Sequence, residues 1–339
     1  MLVLVVAGAF VIPLSMRGVN RVVAGEAQGL GYLPALQLRR HHRAFNPQPI
    51  ADLRHGQPAW VFIGDSMMGT RIDPLRLGEI SSTHDEIVSF LYNPATGPGW
   101  WFLAFKNQLI ASGVKPRAVF VFFRDTNLTD TLFRLESLYG YALDDVALTN
   151  EPDLDALVAA RKGGLRARLG TAAVTFYEYD ITTSWLEPAV RRWFVNLRYP
   201  DASARLRFDR SLNERFDLAN LRGDAAADLS GANESADFVR DLPMSVLPLM
   251  INLAQQHGVP LCFVRVQRRP TGATPPPQSP NLRRYADDLK AYLTANGVLF
   301  HDDWGDPELP ESIYADGDHV RDRRHYTDVF RRRLDPLFR

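Results

Sequence analysis

Five apolar runs rich in Val, Ile and Phe stand out along the chain: AWVFIG at 59–64, EIVSFLY at 86–92, RAVFVFF at 117–123, PLCFVRV at 260–266 and GVLFHD at 297–302. Most are continuous rather than alternating. A strand with one wet face alternates apolar and polar residues, whereas a strand covered on both faces does not, so the pattern predicts parallel strands sandwiched between helices. Helical periodicity fills the gaps at 99–113 (GWWFLAFKNQLIASG), 245–258 (SVLPLMINLAQQHG) and 281–297 (NLRRYADDLKAYLTANG), and a last helix is read in RRHYTDVFRRRLDPLF, 323–338. The first three end on Gly113, Gly258 and Gly297, the residue type that best takes the left-handed backbone of a helix stop. Strands alternating with helices predict an α/β protein with a doubly wound, mostly parallel, five-stranded sheet.

Residues from about 131 to 244 break this alternation. Helical patterns at 153–170 and 182–198 are followed by the polar stretch RGDAAADLSGANESAD, and the whole reads as a helical insertion between strands three and four. The tract RRPTGATPPPQSPN, 268–281, is expected as a loop ordered by packing. The other irregularity is MLVLVVAGAFVIPLSM, which has no charge before Arg17. As a helix it would reach about 24 Å against a hydrocarbon core of about 30 Å. Residues 1–22 are read as a membrane anchor or signal segment, with a buried core helix as the alternative, and 23–56 as a linker whose RRHHR cluster is solvated. Residues 57–339 form the α/β domain.

Charge removes one class of function. Lys plus Arg equals Asp plus Glu at 39 each, so no net field draws the chain to nucleic acid. The one cysteine, Cys262, lies in an apolar run and is expected as a buried, inert thiol; no disulfide within the chain and no Cys-based zinc site can form. GTRIDPLRLG lacks the lysine of a phosphate-binding loop. His84 and Asp85 have no companion cluster at ligand spacing and read as a surface turn, so neither a metal nor a cofactor is expected.

Candidate chemistry begins at Gly64-Asp65-Ser66, where the first strand stops. Gly, Asp and Ser favour turns and helix caps. The same position, outside the carboxyl end of a parallel strand, is where α/β sheets hold ligands and where a serine nucleophile would stand. Met68 occupies the place of the second glycine of a Gly-x-Ser-x-Gly elbow, which disfavours the α/β-hydrolase fold. A serine hydroxyl needs a base. Asp316 and His319, three apart before the last helix, supply a carboxylate able to orient an imidazole. Asp322 and His325 repeat the spacing but fall at the start of that helix, where capping is expected. Donors for an oxyanion are available after the second strand, at Gly97 or Gly99, and after the third, at Asn127 or Arg124. His301, Asp302 and Asp303 read as strand-end capping, and Trp100, Trp101 and Phe102 as a buried helix face.

In its order, this set resembles the SGNH (GDSL-like) hydrolase superfamily: Gly64-Asp65-Ser66 after the first strand, Asn93 with Gly97 after the second, Asn127 after the third, and Asp316-x-x-His319 before the last helix. The resemblance covers about 57–127 and 245–339. It implies a flavodoxin-like SGNH sheet, Ser66 as nucleophile and one oxyanion donor, Gly97 and Asn127 as the other donors, His319 as base and Asp316 as its orienting partner. The third block usually reads Gly-x-Asn-Asp; FFRDTNLTD lacks the glycine, which leaves Arg124 or Asp125 as rivals for Asn127. GDSMMGTRIDP, with Ile72-Asp73-Pro74, is closest to the membrane-anchored branch that works with membrane-bound O-acyltransferases. The resemblance therefore implies O-acyl transfer, O-acetyl first, to an extracytoplasmic or periplasmic glycan by a membrane-tethered protein. An acyl-ester substrate and a membrane-bound O-acyltransferase are the partners it implies. A carbohydrate or lipid esterase and a non-catalytic partner subunit are the alternatives.

Overall fold

A computed structural model of the chain describes residues 45–80, 88–93, 96–135, 142–143, 145–148, 151–162 and 235–335, with the single residue Val11. The N-terminal apolar run apart from Val11, RRHHR, His84, Asp85 and the helical pattern at 182–198 lie outside the described residues. No helix among the described residues is long and apolar enough to cross a membrane.

In chain order the elements are α1 (Gln48–Gly56), β1 (Trp60–Gly64), α2 (Ser66–Arg71), α3 (Pro74–Glu79), β2 (Val88–Tyr92) and α4 (Pro98–Ala104), which runs on as a π-helical turn, Phe105–Ile110. Then come β3 (Ala118–Phe123), a 3-10 turn (Asn127–Thr129), α5 (Pro152–Lys162), α6 (Phe238–Asp241) and α7 (Leu247–His257). The chain closes with β4 (Leu261–Arg265), α8 (Pro280–Ala295), β5 (Leu299–Asp302) and α9 (Arg323–Arg333). α1 falls inside the expected linker, and its Leu53 is buried in the core. Of the expected insertion, the described parts include α5, which covers the start of the 153–170 pattern, and α6.

The five strands pair in the order β2-β1-β3-β4-β5, all parallel. Every residue of β1, β3 and β4 is buried, whereas β2 and β5, the edges, are partly exposed. The sheet therefore has two dry faces. On one, Val61, Ile63, Val121 and Phe263 meet Trp101 of α4, Ile251 of α7 and Leu289 of α8. On the other, Phe62, Phe120, Phe122 and Cys262 meet Met68 of α2 and Phe330 of α9. The Phe330 ring centroid lies 6.0, 5.3 and 5.6 Å from those of Phe62, Phe120 and Phe122, and burying each such side chain is worth about 1.5–3 kcal/mol.

Helix ends follow local chemistry. Gly258 at φ 64°, Gly113 at 74° and Gly297 at 69° take the left-handed backbone of a stop. Ser279 caps α8 by accepting from Leu282 N at 3.1 Å, with Pro280 beginning the first turn. The chain passes from β1 out to β2 by α2 and α3 on one face, then back across β1 to β3 by α4 on the other. Strand order thus reverses between β1 and β3, which opens a crevice at their carboxyl ends.

Candidate active site

Asp65 leaves β1 in extended conformation and caps α2, its carboxylate accepting from Met67 N at 2.9 Å. A Cβ on Gly64 would sit 2.6 Å from Met68 Cβ, so the turn from strand to helix needs glycine there. Asp65 makes the cap expected of Gly64-Asp65-Ser66, and the cap sets Ser66 at the head of α2, at the strand reversal.

The histidine arrives from the other end of the chain. Tyr314 and Val320 form an antiparallel bridge and Ala315 N donates to His319 O at 2.8 Å, closing residues 314–320 into a tight loop. Inside it, Asp316 Oδ1 accepts from Asp318 N at 2.8 Å and from His319 N at 2.7 Å, a turn-forming use of an aspartate. Its Oδ2 lies 2.8 Å from His319 Nδ1, and His319 Nε2 lies 3.0 Å from Ser66 Oγ, across 253 positions of sequence. With Nδ1 facing a carboxylate, Nδ1 carries the proton and Nε2 presents its lone pair to the hydroxyl. Burial pushes against the Asp316 charge, but the hydrogen bonds from Asp318, His319 and the imidazole outweigh it and hold the carboxyl below its usual range.

Two arginines join the pieces. Arg71, 0% exposed, donates from Nη1 to Met67 O (3.1 Å) and Asp318 O (2.8 Å) and from Nη2 to Gln267 O (2.8 Å). Its guanidinium also lies 5.9 and 5.6 Å from the Tyr314 and Tyr326 ring centroids. One side chain thus ties the serine helix, the loop after β4 and the histidine loop together. Arg124, at the end of β3, pairs with the Asp318 carboxylate, and Arg268 pairs with Asp125 at 2.5 Å. Burial opposes the Asp318 charge, but Arg124, Arg268 and Arg71 keep its pKa below the usual value. Asp65, 1% exposed, behaves oppositely: burial raises its pKa despite the Met67 amide and the 3.0 Å ion pair with Arg134.

Gly97 caps α4, and a Cβ there would lie 2.1 Å from Phe133 O; Gly99 sits in the first turn, where a Cβ would lie 2.5 Å from Leu135 Cδ1. The first residues of the insertion therefore close over both glycines: Gly97, against a backbone oxygen, tolerates no larger residue, whereas at Gly99 the Leu135 side chain would have to move aside. After β3, Arg124 and Asp125 are committed to ion pairs, whereas the Asn127 Nδ2 group is buried with no hydrogen-bond partner among the described residues. A buried amide donor left empty costs about 1–3 kcal/mol, which a ligand oxygen would recover. Asn127 lies on the 3-10 turn that packs against α4, below which Gly97 sits.

Asp322 caps α9 through His325 N (3.0 Å) and the His325 ring turns to Glu308 O (2.7 Å), the capping role expected of that pair. His301 and Asp303 do more than cap: Asp303 bridges His301 Nε2 at 3.0 Å and the Tyr326 hydroxyl at 2.5 Å, while Asp302 alone makes the turn to Trp304 N. Cys262 is 0% exposed, and burial pushes its pKa up to about 12. Among the described residues no three His, Cys, Asp or Glu side chains converge as metal ligands. Arg71, Arg134 and Asp318 are residues of the site that sequence spacing did not single out, and Arg124, a candidate oxyanion donor in the sequence, pairs with Asp318 instead. Comparison of the chain with protein-family models, curated proteins and solved structures finds no match in any of the three.

Proposed function

We propose that this chain is an SGNH-type serine acyltransferase that moves an acyl group, acetyl first, onto a glycan hydroxyl outside the cytoplasm, with the N-terminal apolar run as its membrane tether. The observation that carries the reading is the 3.0 Å contact between Ser66 Oγ and His319 Nε2, with Asp316 behind the ring at 2.8 Å. In this mechanism Ser66 Oγ attacks the acyl carbon while its proton passes to His319 Nε2, and Asp316 stabilises the imidazolium. The oxyanion is met by the amides of Ser66 and Gly97 and by Asn127 Nδ2, each donor being worth on the order of 10²–10³ in rate. His319 returns its proton to the leaving oxygen, and the ester to Ser66 is formed. The imidazole then takes the proton of the acceptor hydroxyl, whose oxygen attacks the acyl-enzyme, and the imidazolium gives that proton to the departing Ser66 Oγ, which restores the starting state. A membrane-bound O-acyltransferase is the partner that would supply the acyl donor.

The test is labelling with a fluorophosphonate followed by intact-mass measurement. A single adduct that disappears in Ser66→Ala is the expected result; no adduct on the unaltered chain, or an adduct that survives the substitution, overturns serine catalysis. An acyl donor supplied with and without glycan then separates transfer, read as acylated sugar, from hydrolysis, read as free acid.

A further inference from the structure

Asn127 is placed by a turn. Its backbone N donates to Arg124 O at 2.9 Å, and Asp125 and Thr126 fill the two central positions, with φ 48° at Asp125 and −102° at Thr126. A positive φ at the first central position is one that glycine adopts freely and a residue with a side chain adopts only at some cost. Asp125 is held there from outside the turn. Arg268, in the loop after β4, donates from Nε (3.2 Å) and Nη2 (2.5 Å) to Asp125 Oδ2.

Arg124, on the same turn, reaches the other way and pairs with the carboxylate of Asp318 in the histidine loop. Two longer contacts close the figure: Arg124 Nε lies 3.6 Å from Asp125 Oδ2, and Arg268 Nη1 lies 4.0 Å from Asp318 Oδ1. Two arginines and two aspartates thus alternate around a ring, each beside two opposite charges, and all four side chains are partly buried. Partial burial strengthens each attraction relative to a pair in open water, and loss of one member leaves two neighbours uncompensated. The ring draws on three segments: 124–125 after β3, 268 after β4, and 318 next to His319. Arg269 N also donates to Gly317 O at 2.9 Å, so the loop after β4 and the histidine loop are joined by backbone as well. The far end of the 3-10 turn is fixed separately, by Thr129 Oγ1 against the Tyr285 hydroxyl at 2.8 Å and by Arg161 Nη2 donating to Thr129 O at 2.6 Å. The ring acts on the near end, where Asn127 begins the 3-10 turn.

We infer that Asp125 and Arg268 are positioning residues: with Arg124 and Asp318 they hold the turn bearing Asn127 in fixed relation to the loop bearing His319, so that oxyanion donor and base are set together. The catalytic consequence rests on the acyl-transfer reading; the tie between the loops does not. Asp125→Asn and Arg268→Gln each remove one charge, and Asp125→Gly also frees the backbone. The double variant Asp125→Asn/Arg268→Gln removes an opposite pair and leaves Arg124 with Asp318, which protects the fold. Fluorophosphonate labelling of the full chain is followed with urea midpoints alongside. Each variant is expected to lower the maximal labelling rate about tenfold with half-saturation unchanged, and the double to lose no more than the worse single. In an Asn127→Ala background the same substitutions are expected to cost less than about twofold, because the group they aim is gone. With ¹⁵N in Asn and His, the Asn127 side-chain amide signal is expected to move in Arg268→Gln and the His319 ring signals in Asp125→Asn, each reporter lying on a different loop from the substitution. Full-rate labelling by the double variant, equal losses with and without Asn127 (the outcome of a merely structural role), or both signals unmoved overturns the assignment. No labelling of the unaltered chain while both signals move removes serine catalysis and leaves the tie between the loops.

Discussion

The chain contains the same four-residue spacing twice within ten positions, and the two copies do different work. In both, the aspartate accepts a hydrogen bond from the backbone N–H of the histidine three residues on: Asp316 from His319 at 2.7 Å, Asp322 from His325 at 3.0 Å. They part at the second carboxylate oxygen and the ring. Asp316 Oδ2 holds His319 Nδ1, which aims Nε2 at Ser66, whereas the His325 ring turns away to the Glu308 carbonyl. Asp316 sits in a loop pinned by the Tyr314–Val320 bridge, and Asp322 begins α9. A helix cap uses one oxygen and leaves the imidazole to the helix surface; a closed loop lets one carboxylate both shape the backbone and orient the ring.

The largest effect expected from breaking this contrast is in His319→Ala, which should reduce acyl-enzyme formation by a factor on the order of 10⁴ to 10⁶, measured by stopped-flow labelling, while His325→Ala changes it by less than about threefold. Asp316→Asn should cost a factor on the order of 10⁴ through the wrong tautomer. Asp322→Ala should leave labelling intact and cost about 0.5–2 kcal/mol of stability in urea titration. Next comes the tie between the two halves of the site. Arg71→Lys keeps a cation but cannot reach three carbonyls from one planar fork, so kcat should fall by on the order of 10²-fold with acceptor KM little changed.

A pH series sharpens the comparison further. Asp316 and Asp318 are held below the usual carboxylate range in the fold, where hydrogen bonds and arginines outweigh burial. The unfolded chain takes up those protons near pH 4 and the folded one at lower pH, so the stability they contribute is complete above about pH 4 and is lost as pH falls through the folded values. The urea midpoints of the unaltered chain and Asp318→Asn should therefore converge as pH is lowered from about 6 to about 3. The smallest effect is at Cys262, whose thiol, at about 12, should show no reaction with a disulfide reagent near pH 8 until the chain is unfolded.

The central strands were legible because β1, β3 and β4 are buried on both faces and leave uninterrupted apolar runs. The edges were less so: β5 begins at Leu299 rather than Gly297, where pairing begins rather than where apolarity does, and residues 86 and 87 of the β2 run lie outside the described residues. The helix read at 99–113 has a π-helical turn in its middle, which side-chain periodicity at 3.6 residues does not reveal. Ser66, Asp316 and His319 could be picked out because their chemistry is carried by residue type at fixed spacing. Asp73 of the Ile-Asp-Pro stretch has an ordinary physical role, capping α3 through Leu75 N and Arg76 N. Arg71 could not be picked out, because two of its partners are carbonyls 247 and 196 positions away and a backbone carbonyl has no residue-type signature. Arg134 escaped for a related reason: its reach to Asp65 depends on a left-handed backbone at φ 54° in a segment with no periodic pattern.

The contacts that seat α9 join segments far apart in sequence: Asp73 N to Thr327 Oγ1 at 2.8 Å, and Arg76 to Asp328 at 2.7 Å. Synthesis proceeds from the N-terminus at about 5–20 residues per second. The hydroxyl of Ser66 is thus made 253 residues before the imidazole it faces. On the acyl-transfer reading, a nascent chain in which His319 is not yet made carries an inert alcohol, so the order of synthesis keeps the serine silent until the loop that activates it exists.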